Sequence, residues 1–476
     1  MLPVMRNTSP APWITRHIWL AGIDLDTELR QAEQEGRDLR RVAALAARLR
    51  RTKPGTAVPL DRGPGARWLA AYFQLIDRVQ TLPRRRGFPY CEPSDLAGIR
   101  RERPAAVRIP RWTGNRREFL RRLHGGLLGR ICGCMLGKPV EGWLRQDIRL
   151  YAETTGNWPL ADYLRKATKA EAKRMEGKLV RSRVPTVSDK NACLRPEING
   201  MVEDDDTNYT VTGFGIVKRH GRDFTPEDVA SFWLREIPIL HTCTAERTSY
   251  RSLCMGIPPP QSASWRNPYR EWIGAQIRAD YFGYANPGNP ARAAAWAWRD
   301  AAISHVGNGI YGEMWVAAML AAAYVEKDMP RIVRAGLAQV PADCRLREDV
   351  EMVLELHAAG IRYEDAVEFV HKQWDERKSH DWCHTNSNAQ IVAIGLLYGG
   401  DDYGLAISRS VMPGFDTDCN GATVGSVWGV RYGVNRIPAR WAGPIRNRLR
   451  TGVSGYHDVA IDELAQEMVD VALRTA

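Results

Sequence analysis

Hydrophobic positions recur along this chain with the 3.6-residue period of helices, and the strict alternation of half-buried strands is rare. The periodic runs predict helices over Phe119–Leu136, Thr207–His220, Pro226–Ile237, Ala291–Ala302, Tyr311–Val325, Glu348–Ala359, Tyr363–Trp374, Ala389–Leu397, Tyr403–Val411, Asn420–Tyr432 and Asp462–Ala476. Upstream, Leu29, Ala32, Leu39, Val42, Ala46 and Leu49 form one apolar stripe; Trp68, Leu69, Tyr72, Leu75, Ile76 and Val79 form another. A Pro- and Gly-rich break from Thr52 to Gly65 separates them. Pro83 to Pro110 reads as an irregular linker, and residues 150–200 as a basic, loop-rich connection. No segment repeats at the spacing of a solenoid. The expected fold is all-α: a compact multi-helix domain over residues 118–476, preceded by a mainly helical extension over 1–117.

Charge sharpens that division. Residues 1–117 hold 23 Lys and Arg against 11 Asp and Glu, which accounts for the whole net charge of +12; the remainder is balanced. Arg84-Arg85-Arg86 and the Arg100–Arg117 stretch would attract phosphate-rich partners such as nucleic acid, although no helix-turn-helix, zinc-finger or aromatic-basic signature accompanies them. Solvated Arg-rich surface is the plainer reading. No apolar run is long enough to span a bilayer, so no membrane partner is expected. Met1 to Leu20 is interrupted by Arg6, Pro10, Pro12 and Arg16, unlike a secretory signal. Nine cysteines without a CxxC pair point to reduced thiols and a cytoplasmic location.

Two acidic clusters carry the chemistry: Glu203-Asp204-Asp205-Asp206-Thr207 and Phe415-Asp416-Thr417-Asp418-Cys419. Carboxylates packed this closely repel unless a cation lies between them, and hard divalent ions take oxygen ligands. On a regular helix, three consecutive aspartates diverge by about 100° each, so convergence requires a loop ending at a helix N-terminus, where the last aspartate also caps. Asp416 and Asp418, two apart in an extended segment, point the same way. Gly421, Gly425 and Gly429 recur every fourth residue, a face that admits a second helix closely and would carry this cluster against the first. Plain helix capping with solvated acidic turns is the alternative. EF-hand spacing fails for both clusters, because neither Gly215 nor Val427 supplies the closing carboxylate. Zinc spacing, a P-loop and a dinucleotide fingerprint are all missing.

A third element, Gly125 through Glu141, is a glycine-studded helix stopped by Gly137-Lys138-Pro139 and followed by one acid. With it the chain resembles the ADP-ribosylglycohydrolase family, over roughly residues 118–476. The family pattern G-x-x-x-G-D-x-x-G-x-x-x-E is similar to Gly129 through Glu141, its T-D-D-T segment to Asp204 through Thr207, and its G-x-D-T-D-T segment to Gly414 through Cys419. The resemblance implies an all-α hydrolase with two Mg²⁺ or Mn²⁺ ions, held by Asp204, Asp205, Asp206, Asp416 and Asp418. Glu141, Asp205 and Asp416 become the catalytic candidates, and Asn208, His305, Gly307, Asn308 and Tyr311 the substrate-binding ones. Cys134 stands where the family has aspartate and Cys419 where it has threonine. A thiol is a poor Mg²⁺ ligand, so either Cys419 stays out of the coordination sphere or the site prefers Mn²⁺. Thr244-Ala245-Glu246-Arg247-Thr248 falls near the family's adenosine-side loop but departs from its glycine-rich form.

The activity so implied is metal-assisted hydrolysis of a glycosidic bond at ribose C1, most simply releasing ADP-ribose from an ADP-ribosylated substrate. Two alternatives stand beside it: hydrolysis of a smaller N-ribosyl nucleoside or nucleotide, and non-catalytic binding of ADP-ribose or a nucleotide.

Overall fold

The computed structural model describes residues 18–55, 63–180 and 192–475. The Met1–Leu20 segment, the Thr52–Gly65 break and the 150–200 connection therefore lie partly outside the described residues. Helices make up nearly all the regular structure; among the described residues the sheet is one antiparallel pair, Arg448–Arg450 with Asp458–Ala460.

Most expected helices form within a turn of their predicted ends, and Tyr403–Val411 coincides with its prediction. The differences have local causes. The stripe from Leu29 to Leu49 is not one helix but Leu25–Gln34 and Ala43–Arg51, because Gly36 turns the chain at a φ of +77°. The Pro83–Pro110 linker contains a helix, Leu96–Glu102, whose N-terminus Asp95 caps by accepting from the Gly98 N–H at 2.7 Å. The loop-rich connection contains helices Arg145–Thr154 and Lys169–Met175, the second opened by a Thr168/Glu171 capping box.

The core is organised around helices Arg116–Gly137 and Thr417–Tyr432, which run antiparallel in backbone contact. Gly125 faces Gly429, Gly129 faces Gly425, Gly133 faces Gly421, and Gly137 faces the Thr417 carbonyl. A Cβ on any of these glycines would overlap the facing backbone, so only a four-residue glycine row on both helices permits the approach. The partner of the Gly421–Gly429 face is thus the glycine helix, not the helix that follows the first acidic cluster. The consequence for the site is direct: the end of one helix, at Gly137, meets the start of the other, at Thr417, and Thr417 Oγ1 donates to the Gly137 carbonyl at 2.9 Å.

Residues 25–49 and 68–82 pack a small hydrophobic cluster of their own, centred on Tyr72, Leu75, Ile76 and Val79. Their polar face is keyed into the main body. Arg270 pairs with Glu28 and Glu35 at 2.7 Å each, Gln31 donates to Glu271 at 2.7 Å, and Arg345 pairs with Glu92 at 2.8 Å and Glu271 at 2.9 Å. Nearly all these side chains are buried, so Arg270, Glu28 and Glu35 depend on partners from the other part of the chain, while Arg345 is shared between Glu92 and Glu271.

Candidate metal centre

The first acidic cluster sits where an extended segment becomes helix Asp205–His220. Asp204, at φ −156° and ψ 143°, is the N-cap and accepts from the Asp206 N–H at 2.9 Å. The capping residue is therefore the first aspartate of the run rather than the last. Asp205 and Asp206 lie in the first turn, where the helix dipole favours negative charge.

The second cluster is also a helix start. Asp416 occupies the cap position and Asp418 the first turn of Thr417–Tyr432, so the expected extended segment is replaced by a helix N-terminus. Phe415, at φ +59°, aims the chain into the helix, and the Asp416 N–H donates to Asn388 Oδ1 at 3.1 Å. Glu141 follows the single 3₁₀ turn Lys138–Val140 that ends the glycine helix.

These three segments converge. Ligand atoms of Glu141, Asp416 and Asp418 lie within 4.8 Å of one another, and so do those of Asp206, Asp418 and Cys419, and those of Cys134, Asp204 and Asp206. Asp204, Asp206, Asp416 and Asp418 are buried, while Asp205 and Glu141 are partly open. Two cations reach the cluster. The Lys138 ammonium pairs with Asp204 Oδ2, and buried Arg130 is shared between Asp206 Oδ1 at 3.0 Å and Asp280 Oδ2 at 2.8 Å. Burial alone would raise the Asp204 carboxyl, but Lys138 beside it takes it below the ordinary range. The others go the other way. Burial, then Glu141, pushes Asp416 up to about 6 and Asp418 well up; burial, then Asp204, does the same to Asp205.

The donor set fits divalent cations. Asp206 Oδ2 and Asp418 Oδ1 are buried and have no hydrogen-bond partner, an expensive state for a carboxylate oxygen unless a cation meets it. Among the described residues, carboxylates outnumber the two cations bonded to them, in a largely buried site. Asp205 is outside the three tight groups but shares their field, since Asp204, Glu141 and Asp416 all act on it.

The expected substrate-binding residues are divided. Asn208 is one turn into the first acidic helix; its Nδ2 donates to Glu203 at 3.1 Å and its Oδ1 accepts from the Gly452 N–H at 2.8 Å. His305 is buried, with Nδ1 2.8 Å from Ser304 Oγ, and burial followed by Arg278 lowers its basicity well below the ordinary imidazole value. Gly307, Asn308 and Tyr311 open helix Gly307–Ala323 against the extension. The Gly307 N–H donates to Ser94 Oγ at 3.0 Å, Asn308 Nδ2 to Glu92 at 2.8 Å, and the Tyr311 hydroxyl to the Pro93 carbonyl at 2.5 Å. Thr244 begins a helix, Thr244–Cys254, in place of a loop, and its Glu246 pairs with Arg278 at 2.8 Å. Sequence reasoning passed over Lys138, Arg130 and Asp280. Lys138 was legible as the one cation inside the Gly-Lys-Pro stop; the Arg130–Asp280 pair, 150 residues apart, carried no local signal.

Comparison with known proteins places the chain by its family model. The model of the ADP-ribosylglycohydrolase family matches residues 115–474. No curated protein matches the sequence. A solved structure titled "ADP-ribosylglycohydrolase-related protein complex" is similar at 17% identity and a TM-score of 0.43, covering 75% of this chain and 99% of that one.

Proposed function

The chain belongs to the ADP-ribosylglycohydrolase family, and on that footing we propose that it hydrolyses the glycosidic bond at C1 of a ribose, releasing ADP-ribose from an ADP-ribosylated substrate. The observation that carries this reading is the meeting of Glu141, Asp206, Asp416 and Asp418, from three distant segments, around unpartnered buried oxygens. Asp204, Asp205, Asp206, Asp416 and Asp418 would hold divalent ions, Mg²⁺ or Mn²⁺. Bound there, such ions supply Lewis acidity toward ribose hydroxyls and lower the pKa of water.

The chain's own residues divide the remaining work. Lys138 keeps Asp204 ionised and in place. Arg130 takes one side-chain oxygen of Asp206 and leaves the other without a hydrogen-bond partner. Glu141, partly open beside Asp416 and Asp418, would stabilise positive charge developing at C1 or move a proton to or from the reacting oxygen. Burial of the surrounding aspartates excludes water that would weaken these charges.

One observation favours the smaller N-ribosyl substrate as a second reading. Polar groups of Gly307, Asn308 and Tyr311 are taken by Glu92, Pro93 and Ser94, and Glu246 is committed to Arg278. The test is incubation with ADP-ribosyl-arginine, ADP-ribosyl-serine, NAD and common nucleosides, with Mg²⁺ or Mn²⁺, followed by mass spectrometry. Free ADP-ribose supports the first reading, cleavage of nucleosides alone the second, and binding without turnover a non-catalytic role.

A further inference from the structure

The centre has a chemical asymmetry that its carboxylates conceal. At one end, Glu141, Asp416 and Asp418 offer oxygen only. At the other, the Cys419 sulfur lies within 4.8 Å of ligand oxygens of both Asp206 and Asp418. The unpartnered oxygens, Asp206 Oδ2 and Asp418 Oδ1, belong to these same two residues, and each side chain is more than nine-tenths buried. A second thiol, Cys134, lies with Asp204 and Asp206, but there the Lys138 ammonium already neutralises Asp204. The Lys138 ammonium acts on Asp418 too but is bonded to Asp204, and Arg130 meets Asp206 at Oδ1 and at the backbone carbonyl, leaving Oδ2 unpartnered. Of the two sulfurs in these groups, Cys419 is the one grouped with both residues that carry an unpartnered oxygen; a third thiol, Cys383, donates to Asp416 Oδ2 at 3.7 Å.

Hard Mg²⁺ gains little from sulfur, whereas Zn²⁺ and Co²⁺ bind thiolate and carboxylate together. We propose that Cys419, with Asp206 and Asp418, makes this end of the centre a thiolate–carboxylate site that selects a borderline divalent ion, Zn²⁺ or Co²⁺, over Mg²⁺. This rests on the reading of the acidic cluster as a metal centre. Ligation exchanges the Cys419 S–H bond for a sulfur–metal bond and releases the proton to solvent, with no change of oxidation state.

The experiment is a Co²⁺ titration of the metal-stripped full-length protein, followed by absorption and by equilibrium dialysis. Wild type and Cys134→Ser develop a near-ultraviolet thiolate-to-cobalt band; Cys419→Ser takes up Co²⁺ without it. Stoichiometric Zn²⁺ abolishes the wild-type band, and a large excess of Mg²⁺ leaves it. Circular dichroism checks that each variant is folded. Cys419→Thr, which returns an oxygen donor, loses the Zn²⁺-over-Mg²⁺ preference and provides the test should the serine variant not fold. Co²⁺ binding to wild type without the band, a band that survives Cys419→Ser, or an unchanged preference in Cys419→Thr overturns the proposal and leaves the metal centre standing. Failure of wild type to bind any of Co²⁺, Mn²⁺ or Mg²⁺ overturns both.

Discussion

Gly133 and Gly421 face each other across two antiparallel helices, each carbonyl standing where the other residue's side chain would be. That contact sets how far Glu141, beyond the end of one helix, lies from Asp416 and Asp418 at the start of the other. Replacing Gly133 or Gly425 by Val forces the helices apart in a close-packed core, at a cost of about 1–3 kcal/mol or more. The expected result is a lower Tm together with weaker Mn²⁺ binding, read by calorimetry on the same samples. A variant with wild-type Tm and affinity would show that the glycine rows do not position the site.

Lys138→Met removes the ammonium from Asp204 and leaves a buried carboxylate without its partner. Breaking such a pair costs about 3–5 kcal/mol, so the metal-free variant should melt well below wild type. Added Mn²⁺ should recover part of that loss, giving a larger metal-induced rise in Tm than wild type shows. Equal rises in the two proteins would mean that Lys138 and the ion do not compensate the same charge.

How much of this was legible in the sequence follows from the range of each interaction. The four-residue rows Gly125–Gly137 and Gly421–Gly429 are periodic, and both marked tight helix contact, although which helix met which came only from the structure. The two acidic runs were equally local. Helix Met329–Leu337 was missed although Asp328 and Pro330 form a readable start signal. What left no trace was the pairing of Glu28, Glu35 and Glu92 with Arg270 and Arg345, because isolated ion pairs across more than 200 residues have no period and no spacing rule.

Those pairs make a prediction about the extension. A chain beginning at residue 115 leaves Arg270, Glu271 and Arg345 without their buried partners from Glu28, Gln31, Glu35 and Glu92. Each broken buried pair costs about 3–5 kcal/mol, comparable together to the stability of a whole domain. The truncated chain should be insoluble or lack a cooperative unfolding transition. A soluble, cooperatively melting 115–476 chain would show that the extension is dispensable to the fold.

Glu246 gives a pH signature away from the metal centre. Burial, opposed by Arg278, raises its carboxyl to about 7. The folded state then binds a proton that the unfolded state has lost between roughly pH 4.5 and 7. Stability from this group is full at the acid end and falls as pH rises through 7. Glu246→Gln should flatten that part of the stability–pH profile measured by urea unfolding in the presence of chelator; an unchanged slope would assign it to other groups.

Glu141→Gln separates chemistry from binding. Loss of a general acid or base costs typically about 10²–10⁴-fold in kcat, and the helical fold and Asp206–Asp418 binding of Mn²⁺ should persist. Near-wild-type turnover would remove Glu141 from the reaction.

The central claim is that carboxylates some 200 residues apart form one ion-holding site. Electron paramagnetic resonance of Mn²⁺ with metal-stripped wild type, Asp206→Asn and Asp418→Asn measures this directly. The account predicts tight binding to wild type and loss of bound Mn²⁺ in each variant, with helical content unchanged. Undiminished Mn²⁺ binding in either folded variant would contradict it.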